Sequence, residues 1–122
     1  MLRKEENNTA AEKCPIRNIV SRIGNKWSLL VMLTIADHEV LRFNELLRLI
    51  PDVSSRVLSG TLRTLEADDL ISRKVYPVVP PKVEYRLTDT GMSLIPIVNQ
   101  LTLWARANMD KIMAHRQAYT NV

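Results

Sequence analysis

Two arginines and three serines lie in one short stretch of the chain, between residues 54 and 63. A guanidinium group can bind a phosphate or pair with guanine through two hydrogen bonds, and a hydroxyl group can donate to a phosphate or a base edge. The stretch therefore has the side chains needed to bind duplex DNA. The residues expected to contact DNA here are Ser54, Ser55, Arg56, Ser59, Gly60 and Arg63.

Helical spacing places apolar residues of this stretch on one side. Leu58, Leu62 and Leu65 recur at i, i+4 and i+7, the pattern of an amphipathic helix. Ser54 is a suitable N-cap for a helix that begins at Ser55. The sequence thus predicts a helix with a buried leucine face.

The opposite side of this helix is polar. At 3.6 residues per turn it presents Arg56, Gly60 and Arg63, with Ser59 at its edge. Whether each arginine binds a phosphate or a base stays open. The alternative is an ordinary solvated surface, on which Gly60 serves only packing. Three acids lie near the end of the helix, namely Glu66, Asp68 and Asp69. Acids at this end oppose the helix dipole, so helix stability does not explain them. Their placement favours a helix of which only the first half faces phosphate.

A hairpin is predicted after this helix. Two alternating runs rich in β-branched and aromatic residues, 71–76 and 83–87, flank a proline-rich segment at 77–82. Lys82, at the expected tip, is interpreted as a contact to phosphate or to the minor groove, and alternatively as a solvated loop lysine. A helix followed by a basic hairpin is typical of the recognition half of a winged helix-turn-helix.

Three helices are predicted before the recognition helix. Cys14-Pro15 opens the first, which Gly24-Asn25 ends, and the second runs from about Lys26 to Ala36 and is nearly all apolar. Asn44 is predicted to cap a short third helix, the first of the helix-turn-helix. Lys26 is a further candidate phosphate contact.

The last helix is predicted from about Asp89 to His115, with Thr88 as its cap and a kink near Pro96. Roughly 25 residues extend about 38 Å, more than the core of so small a domain requires. Its spare apolar face and the first helix are therefore expected to pack on a second copy. The predicted dimer-interface residues are Ile16, Ile19, Leu101, Trp104 and Ile112.

Cys14 is the only cysteine, so an internal disulfide is impossible. It precedes a predicted helix N-terminus and lies between Lys13 and Arg17, an environment that favours the thiolate. A thiolate can react with an electrophile or oxidant, or form a disulfide with a second copy or a small thiol. The alternative is a small structural residue with no switching role.

Composition narrows the function classes. The chain has 122 residues, a net charge of +4 and 5% aromatic residues, which permits nucleic-acid binding but disfavours a base-stacking platform for single strands. Neither a membrane-spanning run nor a signal peptide is evident, so the cytoplasm is the expected location. No cofactor, metal site or catalytic site is predicted, because no ligand cluster or phosphate-binding glycine loop is present in the sequence.

The predicted fold class is α+β, mostly α: a winged helix-turn-helix with extra N- and C-terminal helices that form a dimer interface. The expected organisation is a flexible lead at 1–13, one domain at 14–118 and a tail at 119–122. Within the domain, the helix-turn-helix is expected at about 44–69 and the wing at about 72–87.

The chain resembles the HxlR-type winged helix-turn-helix regulators, which are related to the MarR family. The resemblance covers residues 14 to about 105 and rests on motifs in order: Cys14-Pro15, Gly24-Asn25-Lys26-Trp27, Arg42-Phe43-Asn44-Glu45-Leu46, Val53-Ser54-Ser55-Arg56-Val57-Leu58-Ser59, Leu62-Arg63-Thr64-Leu65-Glu66, Pro80-Pro81-Lys82-Val83-Glu84-Tyr85, Leu87-Thr88-Asp89-Thr90-Gly91 and Trp104.

This resemblance implies a homodimeric transcription regulator whose recognition helices enter the major groove while the wings follow the backbone or minor groove. Several members sense electrophiles or oxidants through a cysteine at the position of Cys14. The chain departs from the family at Gly60 and Thr61, where longer polar residues are usual, so different base contacts are expected. It also has Asp69 where a glycine often follows the recognition helix.

The leading hypothesis is therefore a DNA-binding repressor that acts as a homodimer on an inverted-repeat operator and responds to an oxidant or small electrophile through Cys14. The alternative from another class is a winged-helix protein-interaction module without specific DNA binding. A third hypothesis, a thiol enzyme that uses Cys14, lacks an evident base or second cysteine.

Overall fold

Five helices and one small antiparallel sheet make up residues 15–121, the part of the chain that a computed structural model describes. The arrangement confirms the predicted α+β, mostly α winged helix-turn-helix. Cys14 and the predicted lead at 1–13 lie outside the described residues. The elements in chain order are α1 (Pro15–Ile23), α2 (Ser28–His38), β1 (Val40–Leu41), α3 (Phe43–Leu49), α4 (Ser55–Ala67), β2 (Ile71–Tyr76), β3 (Lys82–Leu87) and α5 (Asp89–Thr120).

The sheet has the strand order β1-β3-β2 and is antiparallel throughout. The hairpin of β2 and β3 pairs Ile71 with Leu87 and Tyr76 with Lys82, so its strands are in register along their full length. The two-residue strand β1 covers the other edge of β3 through Val40 and Leu41. This hairpin is the wing.

The core lies where α2, α3 and α4 meet the sheet. Helix α2 is central, as its nearly continuous apolar sequence predicts. Fully burying a valine, leucine, isoleucine or methionine side chain stabilises the fold by about 1.5–3 kcal/mol. The largest fully buried side chains are Met32, Ile35, Leu46, Leu58, Leu62, Leu65, Ile71 and Val31.

Two helices begin at residues other than those predicted. The short helix α3 begins at Phe43, so Asn44 lies inside it and the prediction of an Asn44 cap is wrong. Instead, the Glu45 carboxylate accepts a hydrogen bond from the backbone N–H of Arg42 at 2.8 Å, which satisfies a free amide before the helix. Helix α2 begins two residues later than predicted because Asn25 accepts from the backbone N–H of Ser28 at 2.9 Å.

The last helix is longer than predicted. It starts at Asp89 with Thr88 as its cap, as expected, but continues through Pro96 to Thr120. Only Gly91 and Val98 of α5 are buried. No helix among residues 15–121 is both long enough and apolar enough to cross a membrane.

Hydrogen bonds of Thr88 join the start of α5 to the turn that follows α4. The Thr88 hydroxyl accepts from the backbone N–H of Gly91 at 3.0 Å and donates to the Asp69 carbonyl at 2.7 Å. A Cβ on Gly91 would collide with the carbonyl oxygen of Leu70. The Leu87-Thr88-Asp89-Thr90-Gly91 motif therefore fixes where α5 leaves the wing.

Candidate nucleic-acid interface

Helix α4 is the predicted recognition helix, and its local structure follows its sequence. The Ser54 side chain accepts a hydrogen bond from the backbone N–H of Val57 at 3.1 Å, so Ser54 is the N-cap and the helix begins at Ser55 as predicted. Leu58, Leu62 and Leu65 are at most 2% exposed. These buried side chains fix which side of α4 remains at the surface.

The surface side of α4 presents the predicted polar residues. Arg56 and Arg63 are exposed, and Ser59 and Gly60 are partly exposed between them. The Arg63 guanidinium is 3.4 Å from the Ser59 hydroxyl. A Cβ built on Gly60 meets no atom within 4 Å, so packing inside the chain does not require this glycine.

Thr61 does not belong to this surface. It is only 7% exposed, and its hydroxyl donates to the Val57 carbonyl at 2.9 Å. Thr61 follows Leu58 by three residues and therefore shares the buried side of α4. Of the two positions at which the chain departs from the family pattern, Thr61 is therefore buried within the subunit, whereas Gly60 is partly exposed on the outer side of α4.

A groove of about 300 Å³ separates α4 from the wing. Strand alternation places Arg73 on the same side of the hairpin as the buried Ile71, and its cross-strand partner is the buried Tyr85. Arg73 is thereby directed toward α4, although sequence reasoning did not select it. The alternation around Ile71 was the signal that could have found it. The groove is lined by Ser59, Leu62, Arg63, Glu66, Arg73 and Tyr85.

Lys82 does not lie at the tip of the wing. It is the first residue of β3, and its ammonium is 3.3 Å from the Glu84 carboxylate and 5.1 Å from the centre of the Tyr76 ring. The tip instead carries the exposed apolar residues Val78 and Val79, the latter fully exposed. Lys82 therefore belongs to a cluster of interacting side chains on the wing, with Glu84 and Tyr76, and the tip itself is apolar.

Glu84 is the centre of this wing cluster. Its Oε1 atom accepts a hydrogen bond from the Tyr76 hydroxyl at 3.0 Å, and the Arg86 guanidinium lies 3.8 Å from the same oxygen. The Tyr76 hydrogen bond lowers the pKa of the Glu84 carboxyl below its usual value; partial burial opposes this, and Lys82 and Arg86 lower the pKa further. Glu84 stays ionised at neutral pH and holds the two strands of the wing together.

Two of the three acids near the end of α4, Asp68 and Asp69, have structural roles. Asp68 forms an ion pair with Arg22 of α1 at 3.0 Å, which joins the end of the recognition helix to the first helix. Asp69 has a φ of 59°, the left-handed conformation that aspartate tolerates better than most residues. Asp68 and Asp69 therefore each have a structural role at the end of α4. The interpretation that only the first half of α4 faces phosphate stays a prediction.

The predicted dimer residues lie mainly at the surface. Ile16 of α1 is 70% exposed, whereas Ile19 is half-buried and packs against the core of its own subunit. On α5, Leu101 is 54%, Trp104 56% and Ile112 41% exposed. Lys26 is exposed in the turn before α2, and its ammonium lies 5.0 Å from the centre of the Trp27 ring.

A capped helix with a basic outer face, a short helix before it and a two-stranded wing after it define the class of winged helix-turn-helix proteins. The sequence matches the HxlR-like helix-turn-helix family over residues 22–113. The protein belongs to this family and is a transcriptional regulator of the helix-turn-helix type.

Individual relatives agree with this assignment. An HTH-type transcriptional regulator from Methanothermobacter thermautotrophicus is 48% identical over 93 residues, which cover 76% of this chain and 70% of that protein. The redox regulator HypR in its reduced form is similar in structure, with a TM-score of 0.77 and 41% identity over 82% of this chain and 98% of HypR. The reduced form of the regulator YodB from Bacillus subtilis has a TM-score of 0.68 and 32% identity, over 75% of this chain and 90% of YodB.

Proposed function

We propose that the protein is a homodimeric repressor that binds an inverted-repeat operator through α4 and the wing of each subunit, and that oxidation of Cys14 changes its occupancy. The observation that carries the DNA-binding part is the outer face of α4. Its two arginines project from a rigid, capped helix, with the bare backbone of Gly60 between them. Such a face can enter a major groove, which is wide enough for an α-helix.

The polar side chains of this face suit duplex DNA. The first turn of α4 offers Ser54, Ser55 and Arg56, and the N-terminal end of a recognition helix is the part that contacts base edges. The positive end of the helix dipole also favours nearby phosphates. Lys82 and Lys26 remain proposed backbone contacts, although Lys82 would have to exchange its contact with Glu84 for a phosphate.

The exposed apolar residues of α1 and α5 support a dimer. A patch of this kind on a small regulator marks an interaction surface, and a second copy presents the same patch in two-fold symmetry. We propose that Ile16, Ile19, Leu101, Trp104 and Ile112 contribute to that interface. The exposed large apolar side chains of the two helices are Ile16, Val20, Met92, Ile97, Leu101, Leu103, Trp104, Met109, Ile112, Met113 and Tyr119.

Redox control is proposed from Cys14 and from the relatives. Similar structures include the redox regulator HypR in its reduced and oxidised forms and YodB after diamide treatment. In this chain a hydroperoxide would convert the Cys14 thiolate to a sulfenic acid with release of an alcohol. The second subunit's Cys14 thiolate would then displace water and form the disulfide. Because Cys14 directly precedes α1, this bond would change the relative position of the two subunits.

Fluorescence anisotropy on the duplex upstream of the gene tests this function. The protein is titrated reduced and after hydroperoxide treatment, with Cys14→Ser in parallel and a random duplex as the competitor. Operator-selective, salt-sensitive binding that oxidation changes only in the wild-type protein is expected. Selective binding that is indifferent to oxidation would contradict the Cys14 switch. Equal affinity for operator and random duplex would contradict the repressor and favour the protein-interaction module.

A further inference from the structure

The groove between α4 and the wing brings together two arginines from different elements. Arg63 is on the recognition helix and Arg73 is on β2, ten residues later in sequence. Both line the same groove of about 300 Å³, and both are exposed to solvent. The half-buried Ser59 adds a hydroxyl group to this groove.

The charges of these two arginines are not neutralised by ion pairs among residues 15–121. The described ion pairs use Arg22, Lys82 and Arg86, whose partners are Asp68 and Glu84. The Glu66 carboxylate lines the groove but is in no described ion pair. Among the wing cations outside the groove, Lys82 and Arg86 lie beside Glu84, and the Lys74 ammonium lies 4.9 Å from the centre of the Tyr76 ring. The two arginines inside the groove have no such partner among the described residues and are available to an external anion.

We propose that a backbone phosphate of the bound DNA occupies this groove, held by Arg63 from the helix side and Arg73 from the wing side. The inference rests on the proposed DNA binding and assigns roles that the sequence leaves open. Arg63 and Arg73 bind the backbone and set the position of the helix, whereas Arg56 contacts a base.

The position of each arginine along α4 supports this division. Arg56 is in the first turn, where a recognition helix contacts base edges. Arg63 lies seven residues further on, about 10 Å along the axis at 1.5 Å per residue. We expect the part of α4 near Arg63 to lie at the edge of the major groove, beside the phosphate backbone. Arg73 of the wing lines the same groove of the protein as Arg63 and would face the same phosphate. Two guanidinium groups on opposite walls fit a phosphate, which has several acceptor oxygens.

The test measures duplex affinity as a function of salt for Arg63→Ala and Arg73→Ala. Each substitution should remove one of the two contacts to this phosphate and weaken operator and random duplex alike by roughly tenfold. The slope of log K against log salt should fall by about 0.9, the value for one neutralised phosphate, when both arginines are replaced, and by less in either single variant. Arg56→Ala should instead reduce the preference for the operator, since a base contact contributes discrimination.

Arg86→Ala is the matched control. Arg86 is on the same hairpin as Arg73 and carries the same charge. Its cross-strand partner is Ser72, so strand alternation places Arg86 on the face of the sheet opposite to that of Arg73, where it lies beside Glu84. It should leave the salt slope unchanged. Glu66→Gln should strengthen binding to both duplexes, because it removes a negative charge from the wall of the phosphate groove.

The outcomes separate this inference from the proposed function. If the wild-type protein shows no salt-sensitive binding to duplex DNA, the proposed function itself fails. If the wild-type protein binds, two results would overturn the groove alone. One is an Arg73→Ala variant with wild-type slope and affinity, and the other is an equal loss in Arg73→Ala and Arg86→Ala. Circular dichroism of each variant establishes that it is folded before its affinity is compared.

Discussion

Gly60 occupies the outer face of α4 without any contact that would require a glycine. Glycine in a helix interior costs about 1 kcal/mol relative to alanine, so this residue weakens the recognition helix. On a face that enters a DNA groove, the missing side chain allows the backbone to approach the bases. Under the proposed DNA binding, Gly60 therefore weakens the helix and favours the approach of its backbone to the DNA.

Gly60→Ala should raise the free energy of unfolding by about 0.5–1 kcal/mol, because the added methyl group meets open space. Its affinity for the operator should fall, since the methyl group separates α4 from the groove. Urea unfolding and anisotropy measure the two effects on one protein sample. A stabilised variant with unchanged affinity would show that the backbone at Gly60 does not approach DNA.

Tyr76 sets the protonation of Glu84 within the wing. Tyr76→Phe removes the hydrogen bond that most lowers the pKa of Glu84, so this pKa should rise toward the ordinary value for glutamate. Because the folded pKa is depressed, the stabilising contribution of Glu84 is present at neutral pH and is lost only as the pH falls through that lowered pKa. Carbon NMR titration of the Glu84 carboxyl measures the shift. Tyr119→Phe, on the exposed end of α5, is the control, and an equal pKa in Tyr76→Phe and wild type would contradict the assignment.

At the scale of elements, the regular parts of the interface were predictable from local patterns. The N-cap at Ser54 and the leucine spacing of α4 depend on residues within two or three turns, so sequence alone determines them. The ion pair between Arg22 and Asp68 joins residues 46 positions apart, which no local pattern could predict. The groove that contains Arg73 likewise exists only once the hairpin is placed against α4.

Two predictions are wrong because a helix or a strand begins earlier in the chain than its sequence pattern indicates. Lys82 was assigned to the tip because proline ends strands, yet β3 begins one residue earlier and includes it. Asn44 is a common capping residue, but the helix starts one position before it and uses Glu45 instead. Caps and strand ends are decided by single hydrogen bonds, and the sequence offers several donors and acceptors for each.

The junction between the wing and α5 should be sensitive to substitution. In Gly91→Ala the new Cβ meets the Leu70 carbonyl oxygen, so the backbone must move, and a loss of about 1–3 kcal/mol in the free energy of unfolding is expected. Urea unfolding measures the loss. Gly60→Ala is the matched control, because the same chemical change there meets open space and should stabilise the protein. Equal effects at both positions would contradict the close packing of α5 on Leu70.

At the scale of the whole molecule, α1 and α5 are the helices that we propose form the dimer. The 32 residues of α5 extend about 48 Å at 1.5 Å per residue, and most apolar side chains of this helix have no cover within the subunit. Arg22 links α1, the other proposed dimer helix, directly to the end of α4. A change at the proposed dimer interface would therefore reach the recognition helix through a single ion pair.

Hydroxyl-radical footprinting of the reduced protein on the duplex upstream of its gene tests the central claim most directly. A two-fold symmetric dimer with one recognition helix per subunit should protect two equivalent segments, centred about 34 Å apart or a multiple of that distance. The protected segments should form an inverted repeat, and Arg56→Ala should abolish their preference over neighbouring sequence. A single asymmetric footprint, or uniform cleavage along the duplex at concentrations where the protein is dimeric, would contradict the account.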